Sequence, residues 1–196
     1  MEPTRQDLVE FYNATYMAHP LIWEHWWRDD NVCGALMKYP TPRHILDLGC
    51  GNGHTLEYLR TYFPEAQLYG LDISDNAIRL AEVRNPNATF FCGMFQEMEL
   101  PRQFDRIVSL GVMEHLYDTV ESLAKVKSHL TDGGLFYLEV PDNVYGGSEG
   151  WFHSYVGTQV EWHLSRATWE ERIDAAGLEI VEYLDLQGAG FTWVLK

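Results

Sequence analysis

Apolar residues follow two different spacings along this chain, and the two spacings alternate. Short apolar runs predict buried strands, and segments whose apolar residues lie three or four positions apart predict helices between them. The predicted strands cover residues 44–48, 68–71, 89–92, 104–110 and 135–140. Strands that alternate with helices indicate a mostly parallel sheet with helices on both faces.

The carboxyl-terminal part of the chain departs from this alternation. Ser165 is a favourable helix N-cap and Gly177 a favourable helix end, so a helix is predicted between them. Two further strands, at 179–186 and 191–195, are separated by a short glycine-containing loop that is typical of a hairpin. The predicted sheet therefore gains an antiparallel strand at its end.

The amino-terminal part of the chain is predicted to be helical. Apolar residues recur at helical spacing between residues 8 and 39, and Pro20 interrupts the pattern, so two helices are expected. No linker or internal repeat divides the chain. We therefore predict a single α/β domain over residues 1–196, with an N-terminal helical lid over 1–42 and a core over 43–196.

The formal net charge of the chain is −15 at neutral pH, and this charge limits its partners. A nucleic acid would be repelled unless basic residues were clustered, and the longest basic cluster contains only Lys125 and Lys127. We therefore expect no nucleic-acid partner. A small molecule that is neutral or cationic fits the charge better.

Three features predict a cytoplasmic protein. No apolar run approaches the ~20 residues of a membrane span, so no membrane partner is expected. The first residues are polar and acidic, unlike those of a signal peptide. Cys33, Cys50 and Cys92 are odd in number and form no Cys-x-x-Cys pair, so we expect reduced thiols.

A glycine-rich turn, GCGNG at residues 49–53, follows the first predicted strand. Glycine lets the backbone bend tightly and lets a ligand lie against it without an intervening Cβ. The spacing differs from the Gly-x-Gly-x-x-Gly of dinucleotide-binding turns, because His54 occupies the position of the last glycine. Asp47 precedes the turn, and a carboxylate there favours a cationic amine over a pyrophosphate. A nicotinamide-dependent oxidoreductase is therefore disfavoured.

Together with three further motifs in the same order, this turn resembles class I S-adenosylmethionine-dependent methyltransferases of the small-molecule type. The motifs are Asp47–Gly53 (DLGCGNG), Leu71–Ser74 (LDIS), Phe104–Val108 (FDRIV) leading into Gly111–Leu116 (GVMEHL), and Asp132–Gly134 (DGG). The resemblance covers roughly residues 44–196. It implies a Rossmann-like seven-stranded sheet of order 3-2-1-4-5-7-6 with strand 7 antiparallel. It also implies S-adenosyl-L-methionine as cofactor and S-adenosyl-L-homocysteine as its product.

The resemblance implies positions for the cofactor around the glycine-rich turn. The backbone at Gly49 and Gly51 would contact the methionine part, in a turn that also contains Asn52. Asp47 would lie near the cofactor ammonium group. Asp72 would hold the ribose hydroxyls, although an acid at this position could also be a helix cap.

The adenine side of the cofactor is implied by residues after the second and third strands. Ile73 would pack on adenine. Met94 and Phe95 stand where the family often has an acid or amide, so the adenine contact there would be apolar or made by backbone. Ser109 ends the fourth strand, where a backbone carbonyl would face the amine of the methionine part.

Aromatic residues of the N-terminal arm are the candidate lid. Tyr12 and Tyr16 resemble an aromatic pair that many relatives fold over the methionine end, although core packing explains them equally well. Trp23 and Trp27 belong to a dense cluster that would exclude water from the acceptor, or that would form a dimer contact. Both a monomer and a homodimer therefore remain open.

Histidine is the expected general base, because its pKa lies near working pH. Methyl transfer from a sulfonium is an in-line displacement, so positioning contributes much of the catalysis, and a base is needed when the acceptor is protonated. The candidates are His163 first, then His115 and His153, although His163 could instead tie its loop to the next helix. Gly111 stands where some relatives carry an acid that helps to hold a metal, so we predict no metal site.

The segment 141–164 is predicted to be the acceptor loop. It is long for a connection and rich in aromatic residues, and long loops in compact domains are commonly functional. Trp151 and Tyr155 are its candidate acceptor contacts.

We predict methyl transfer to an oxygen or nitrogen of a small metabolite. The alternatives are methylation of a protein or RNA, and a non-catalytic cofactor-binding partner subunit.

Overall fold

The computed structural model describes residues 4–22, 24, 26–142, 149–153, 160–186 and 190–196, with the backbone alone at 26–28, 151–153 and 160. Strands in this part of the chain, numbered in chain order, are β1 His44–Leu48, β2 Gln67–Asp72, β3 Thr89–Cys92, β4 Phe104–Leu110, β5 Leu130–Val140, β6 Gly150–His153, β7 Val160–His163, β8 Ile180–Leu184 and β9 Phe191–Leu195.

A seven-stranded sheet forms the centre of the molecule, in the order β3-β2-β1-β4-β5-β9-β8. Strands β1 to β5 pair in parallel, and β9 runs antiparallel to both β5 and β8. Counted within this sheet alone, β8 and β9 are its sixth and seventh strands. The predicted order 3-2-1-4-5-7-6, with strand 7 antiparallel, is therefore confirmed.

Six α-helices are described: α1 Arg5–Ala18, α2 Trp26–Leu36, α3 His54–Tyr62, α4 Asp75–Arg84, α5 Thr119–Ser128 and α6 Arg166–Ala175. Five of them, α2 to α6, form two apolar cores with the sheet. Leu36, Leu56 and Ile78 of α2, α3 and α4 are buried in one core, and Leu123 and Trp169 of α5 and α6 are buried in the other. The prediction of helices on both faces is confirmed. No described helix is long and apolar enough to cross a membrane.

The first helix of the N-terminal arm is attached to the start of α4. The Ser74 hydroxyl donates to Asn13 Oδ1 at 2.7 Å, and the Asn76 side-chain amide donates to the Asn13 carbonyl at 2.9 Å. Ser74 also caps α4, because its hydroxyl oxygen accepts from the Ala77 backbone N–H at 3.1 Å. One serine thus ends the loop after β2, starts α4 and holds α1 against the core.

Two parts of the chain depart most from the sequence prediction. Strand β5 begins at Leu130 rather than at 135, and the predicted turn at 132–134 lies inside it as an irregularity where the register with β4 shifts. The segment 141–164 is not a plain loop, because it contains the antiparallel pair β6 and β7. Strand β7 packs on a short 3-10 turn at Met113–His115, and this tertiary contact leaves little local signal in the sequence.

Candidate active site

A cavity of about 300 Å³ lies at the carboxyl ends of the central parallel strands. This is where open parallel sheets bind ligands, and the volume is at the lower end of the range for small-molecule sites. Its walls come from α1, from β7 and from the segments that end β1, β2, β3 and β4. The residues that these strand ends contribute include 47–52, 71–73, 93–96, 110–112 and 114–116.

The glycine-rich turn forms one wall of the cavity and depends on its glycines. Gly49, Gly51 and Gly53 have φ angles of 78°, 53° and 78°, which side-chain-bearing residues rarely adopt. A Cβ on Gly51 would lie 2.3 Å from the Tyr16 hydroxyl oxygen, and one on Gly49 would lie 2.2 Å from a Val112 methyl carbon. The turn is therefore a close-fitting cradle that only glycine can form.

Asp72, the last residue of β2, connects the glycine-rich turn to the next loop. Its two carboxylate oxygens accept from the backbone N–H groups of Gly51 and Ser74, both at 2.9 Å. The side chain lines the cavity and the residue is only 8% exposed. Burial raises the pKa of Asp72 to about 6, although the backbone hydrogen bonds oppose this shift. In this cavity wall the ionised carboxylate is less well hydrated than in water, and this lost hydration is a free-energy cost to the folded protein.

Further cofactor candidates surround these residues. Asp47 is buried in the cavity wall below the turn. Tyr16 of α1 is also buried, and its burial, together with the nearby Asp72 carboxylate, raises the pKa of the phenol. The other predicted cofactor residues that line the cavity are Tyr12, Gly49, Gly51, Asn52, Ile73, Met94 and Phe95.

The start of α3 is linked to α2 by a buried carboxylate. Asp29 is fully buried, and it accepts from the Thr55 hydroxyl at 2.6 Å. Its other oxygen lies 2.9 Å from Nδ1 of His54. His54 and Thr55 directly follow the glycine-rich turn and line the cavity. The arm is therefore connected to the residues that shape the turn.

A second link joins the arm to the glycine-rich turn through Asn52. The Asn52 amide donates to the Pro20 carbonyl and to Glu24 Oε1, each at 2.7 Å. Arg84 completes this link, because it donates to Asn52 Oδ1 at 3.0 Å and pairs with Glu24 at 2.7 Å. Both links make the arm part of the cavity wall.

Four titratable side chains lie in a row at the end of the cavity formed by the 3-10 turn and β7. Glu114 Oε1 lies 3.7 Å from His115 Nε2, and His115 Nδ1 lies 3.9 Å from Glu161 Oε2. Glu161 Oε1 is in turn 3.2 Å from His163 Nε2. Glu114, His115 and Glu161 line the cavity, whereas His163 is buried behind Glu161.

Strand alternation explains how β7 presents these groups. Glu161 and His163 share one face of the strand, and Trp162 between them points to the other face. There the Trp162 indole N–H donates to the carbonyls of Leu116 and Tyr117, at 3.2 and 3.1 Å. The indole anchors the strand while the glutamate reaches the cavity.

The remaining sequence-predicted residues are distributed as follows. Ser109 is buried one residue before Leu110, which lines the cavity, so the predicted contact through its carbonyl stays a prediction. Trp23 and Tyr155 lie outside the described residues. The side chains of Trp27, Trp151 and His153 lie outside them as well, so their predicted roles remain predictions.

Sequence reasoning missed Glu161, His54 and the buried Asp29. His54 could have been noticed, because it departs from the dinucleotide-binding pattern. No sequence pattern indicates its partner Asp29 on α2. Among the described residues, no group of three or more His, Cys, Asp and Glu side chains is arranged to hold a metal ion.

Comparison with known proteins identifies the family. Residues 25–183 match the family model described as a methyltransferase domain, which is most of the chain. The chain therefore belongs to this family, and the predicted class of protein, a class I S-adenosylmethionine-dependent methyltransferase, is confirmed.

Curated relatives share part of the chain. A trans-aconitate 2-methyltransferase of Acidovorax sp. (strain JS42) is 32% identical over 110 residues, which are 56% of this chain and 43% of that protein. One from Yersinia pestis (strain Pestoides F) is 31% identical over 110 residues, with the same coverage of both chains. The chain spans less than half the length of these relatives.

Solved structures share the fold over nearly the whole chain. An amino pentose methyltransferase from Micromonospora echinaspora, with S-adenosylmethionine bound, has a TM-score of 0.72 at 20% identity, covering 93% of this chain and 95% of its own. The 1,6-didemethyltoxoflavin-N1-methyltransferase of Burkholderia thailandensis, with S-adenosylhomocysteine bound, has a TM-score of 0.73 at 18% identity, covering 97% and 84%.

Proposed function

We propose that this protein transfers a methyl group from S-adenosylmethionine to an oxygen or nitrogen atom of a small molecule. Asp72 is the observation that carries the proposal. Its buried carboxylate joins the glycine-rich turn to the end of β2 and lines the cavity, where it can accept from two ribose hydroxyls. A buried carboxylate of this kind suits a ligand that donates hydrogen bonds to it, because those bonds offset the hydration that burial removes.

The cavity suits S-adenosylmethionine in shape and charge. The backbone of Gly49 and Gly51 lines the cavity, so the methionine part can lie against it, and the buried Asp47 carboxylate suits its ammonium group. Met94 and Phe95 offer an apolar wall to adenine. When bound, the cofactor supplies an electrophilic methyl group on a positively charged sulfur. Further proposed contacts are Tyr12, Tyr16, Gly49, Asn52, Ile73 and Ser109.

Small-molecule acceptors are supported by the relatives and by the cavity itself. The names of the relatives specify trans-aconitate, an amino pentose and 1,6-didemethyltoxoflavin, all of which are small molecules. The arm lines the cavity with Tyr12 and Tyr16 and is hydrogen-bonded to the cavity wall at Asn52, which favours a small ligand over a polymer. His115 lines the cavity and is the proposed base that removes a proton from the acceptor. His163 contacts Glu161 and would act by orienting it.

The proposal is tested with S-adenosylmethionine that carries an isotope-labelled methyl group. The purified protein is incubated with this donor and either a metabolite mixture, a protein mixture or total RNA. We expect label in the metabolites and an equal amount of S-adenosylhomocysteine. Asp72→Ala should lose most of the transfer, and Asp132→Ala, which alters an exposed carboxylate in β5, should retain it. Label confined to protein or RNA would contradict the proposal.

A further inference from the structure

The charged residues of the cavity wall all have the same sign. Among the described residues that line it, four are acidic, none is lysine or arginine, and two are histidine. The acids are Asp47, Asp72, Glu114 and Glu161. Asp47 and Asp72 are assigned above to the ammonium and ribose of the cofactor. Two carboxylates, Glu114 and Glu161, therefore remain at the other end.

Two neighbouring segments of the chain, the arm and the stretch from β5 to α6, add no lysine or arginine to this side of the cavity. The arm contains no lysine or arginine between Arg5 and Arg28, and the segment from β5 to α6 contains none between Lys127 and Arg166. These two segments supply the lid and the β6–β7 hairpin. An acceptor that carries carboxylate or phosphate groups would find no counter-ion in either of them.

Glu161 is the residue best placed to hold a cationic acceptor. Its side chain is 12% exposed, it lines the cavity, and the hydrogen bond to His163 at 3.2 Å fixes one of its oxygens. Its other oxygen lies 3.9 Å from His115, whose far nitrogen lies 3.7 Å from Glu114. An imidazole between two carboxylates can accept a proton, because both carboxylates stabilise the imidazolium.

We infer that the acceptor is an amine that arrives as an ammonium ion, is held by Glu161 and is deprotonated by His115; this inference rests on the proposed function. One proton passes from the ammonium to the His115 imidazole and leaves a neutral amine. The nitrogen lone pair forms the new N–C bond while the C–S bond breaks, and the electron pair of that bond stays on sulfur. The products are a methylated ammonium ion and S-adenosylhomocysteine, and the imidazolium returns its proton to solvent.

The three residues have different roles. Glu161 binds the acceptor and selects its charge, His115 is the catalytic residue, and His163 is a positioning residue that orients Glu161. The carboxylates also offset the repulsion between an ammonium acceptor and the positive sulfur of the donor. A neutral alcohol could donate a hydrogen bond to Glu161 but would gain no charge attraction, and an anion would be repelled by both carboxylates.

The inference is tested with matched sets of primary amine, alcohol and carboxylate on one carbon skeleton. Suitable sets are glucosamine, glucose and glucuronate, and phenethylamine, 2-phenylethanol and phenylacetate, together with a panel of aliphatic amines, alcohols and acids. Binding to the S-adenosylhomocysteine complex and transfer of labelled methyl are both measured. We expect amines to exceed their partners at least tenfold. A preference for alcohols or acids, or failure of every amine while S-adenosylhomocysteine binds, would overturn the inference. Failure of S-adenosylhomocysteine to bind would instead contradict the proposed function.

Variants separate a specific role of Glu161 from a structural one. Glu161→Gln keeps the shape of the side chain, and should raise the KM for the amine at least tenfold while the KM for S-adenosylmethionine is unchanged. His115→Asn should lower kcat and leave the KM for the amine within threefold. Glu82→Gln, an exposed change on α4, is the matched control. If Glu161→Gln alters thermal stability and both KM values but leaves the ratio of amine to alcohol transfer intact, the assigned role is wrong.

Discussion

The buried Asp72 carboxylate predicts a specific dependence of stability on pH. Its pKa rises from the ordinary value of 3.8 to about 6 because burial penalises the charged form. At about 1.4 kcal/mol per pKa unit, the ionised carboxylate costs the folded, ligand-free protein about 3 kcal/mol at neutral pH.

The direction of the effect follows from the protons bound in each state. Well below pH 3.8 the carboxyl is protonated in both the folded and the unfolded chain, so it contributes no difference. As the pH rises towards 6, the unfolded chain releases its proton before the folded chain does, and the folded state loses stability. The loss is complete above about pH 7. About 1.4 kcal/mol of it is expressed between pH 5 and pH 8.

Asp72→Asn isolates this contribution. Urea unfolding of both proteins is measured at intervals from pH 5 to pH 8. The asparagine loses one backbone acceptor, which shifts its unfolding free energy by a constant amount that does not depend on pH. The wild type should lose about 1.4 kcal/mol relative to the variant across this range. A difference that stays constant within about 0.5 kcal/mol would refute the reasoning about burial.

Ligand binding should show the opposite dependence on pH. Ribose hydroxyls donate to the carboxylate, so binding favours the ionised form, and at pH 5 a group with a pKa of about 6 is mostly protonated. We expect S-adenosylhomocysteine to bind about tenfold more weakly at pH 5 than at pH 7. Asp72→Asn should bind weakly at both values. An affinity that is equal at both pH values in the wild type would exclude a direct role of the carboxylate.

Three other changes test the cradle, the arm and the last helix. Gly51→Ala should reduce S-adenosylhomocysteine binding more than tenfold in calorimetry. The new Cβ would lie 2.3 Å from the Tyr16 hydroxyl oxygen, and the φ of 53° is unfavourable for alanine. An unchanged affinity would contradict the close fit of the turn. Asp29→Ala should lower the free energy of unfolding by about 2 kcal/mol, since the buried Thr55 hydroxyl loses its acceptor and the partly buried His54 loses its neighbouring carboxylate. The exposed Asp30→Ala should cost less than about 1 kcal/mol in the same urea experiment. Ser165→Ala removes the N-cap of α6 and should cost about 1 kcal/mol in urea unfolding, and no loss would mean that tertiary packing alone determines where the helix begins.

The parallel core could be predicted from the sequence because its signals are local. Glycines with positive φ mark the turn after β1, a serine caps α4, and continuous apolar runs mark buried strands. These features depend on residues within one or two turns of each other. The order of the sheet came from the family resemblance rather than from spacing.

The parts that were missed depend on contacts between distant segments. Strand β7 is only four residues long and is held by Trp162, whose partners are 45 and 46 positions away. The Asp29–His54 contact spans 25 positions and joins two helices. An aspartate on a helix and a histidine after a glycine have no local pattern that pairs them. Glu161 could not be predicted either, because the β6–β7 hairpin determines its position in the cavity.

The central claim is that the cavity at the carboxyl edge of the sheet binds S-adenosylmethionine. Isothermal titration calorimetry with S-adenosylhomocysteine at pH 7.5 tests it directly, since this ligand needs no acceptor. The account predicts saturable binding of one ligand per chain, weakened at least tenfold in Asp72→Ala and unchanged in Asp132→Ala. The absence of saturable heat at millimolar ligand, or equal binding by both variants, would contradict it.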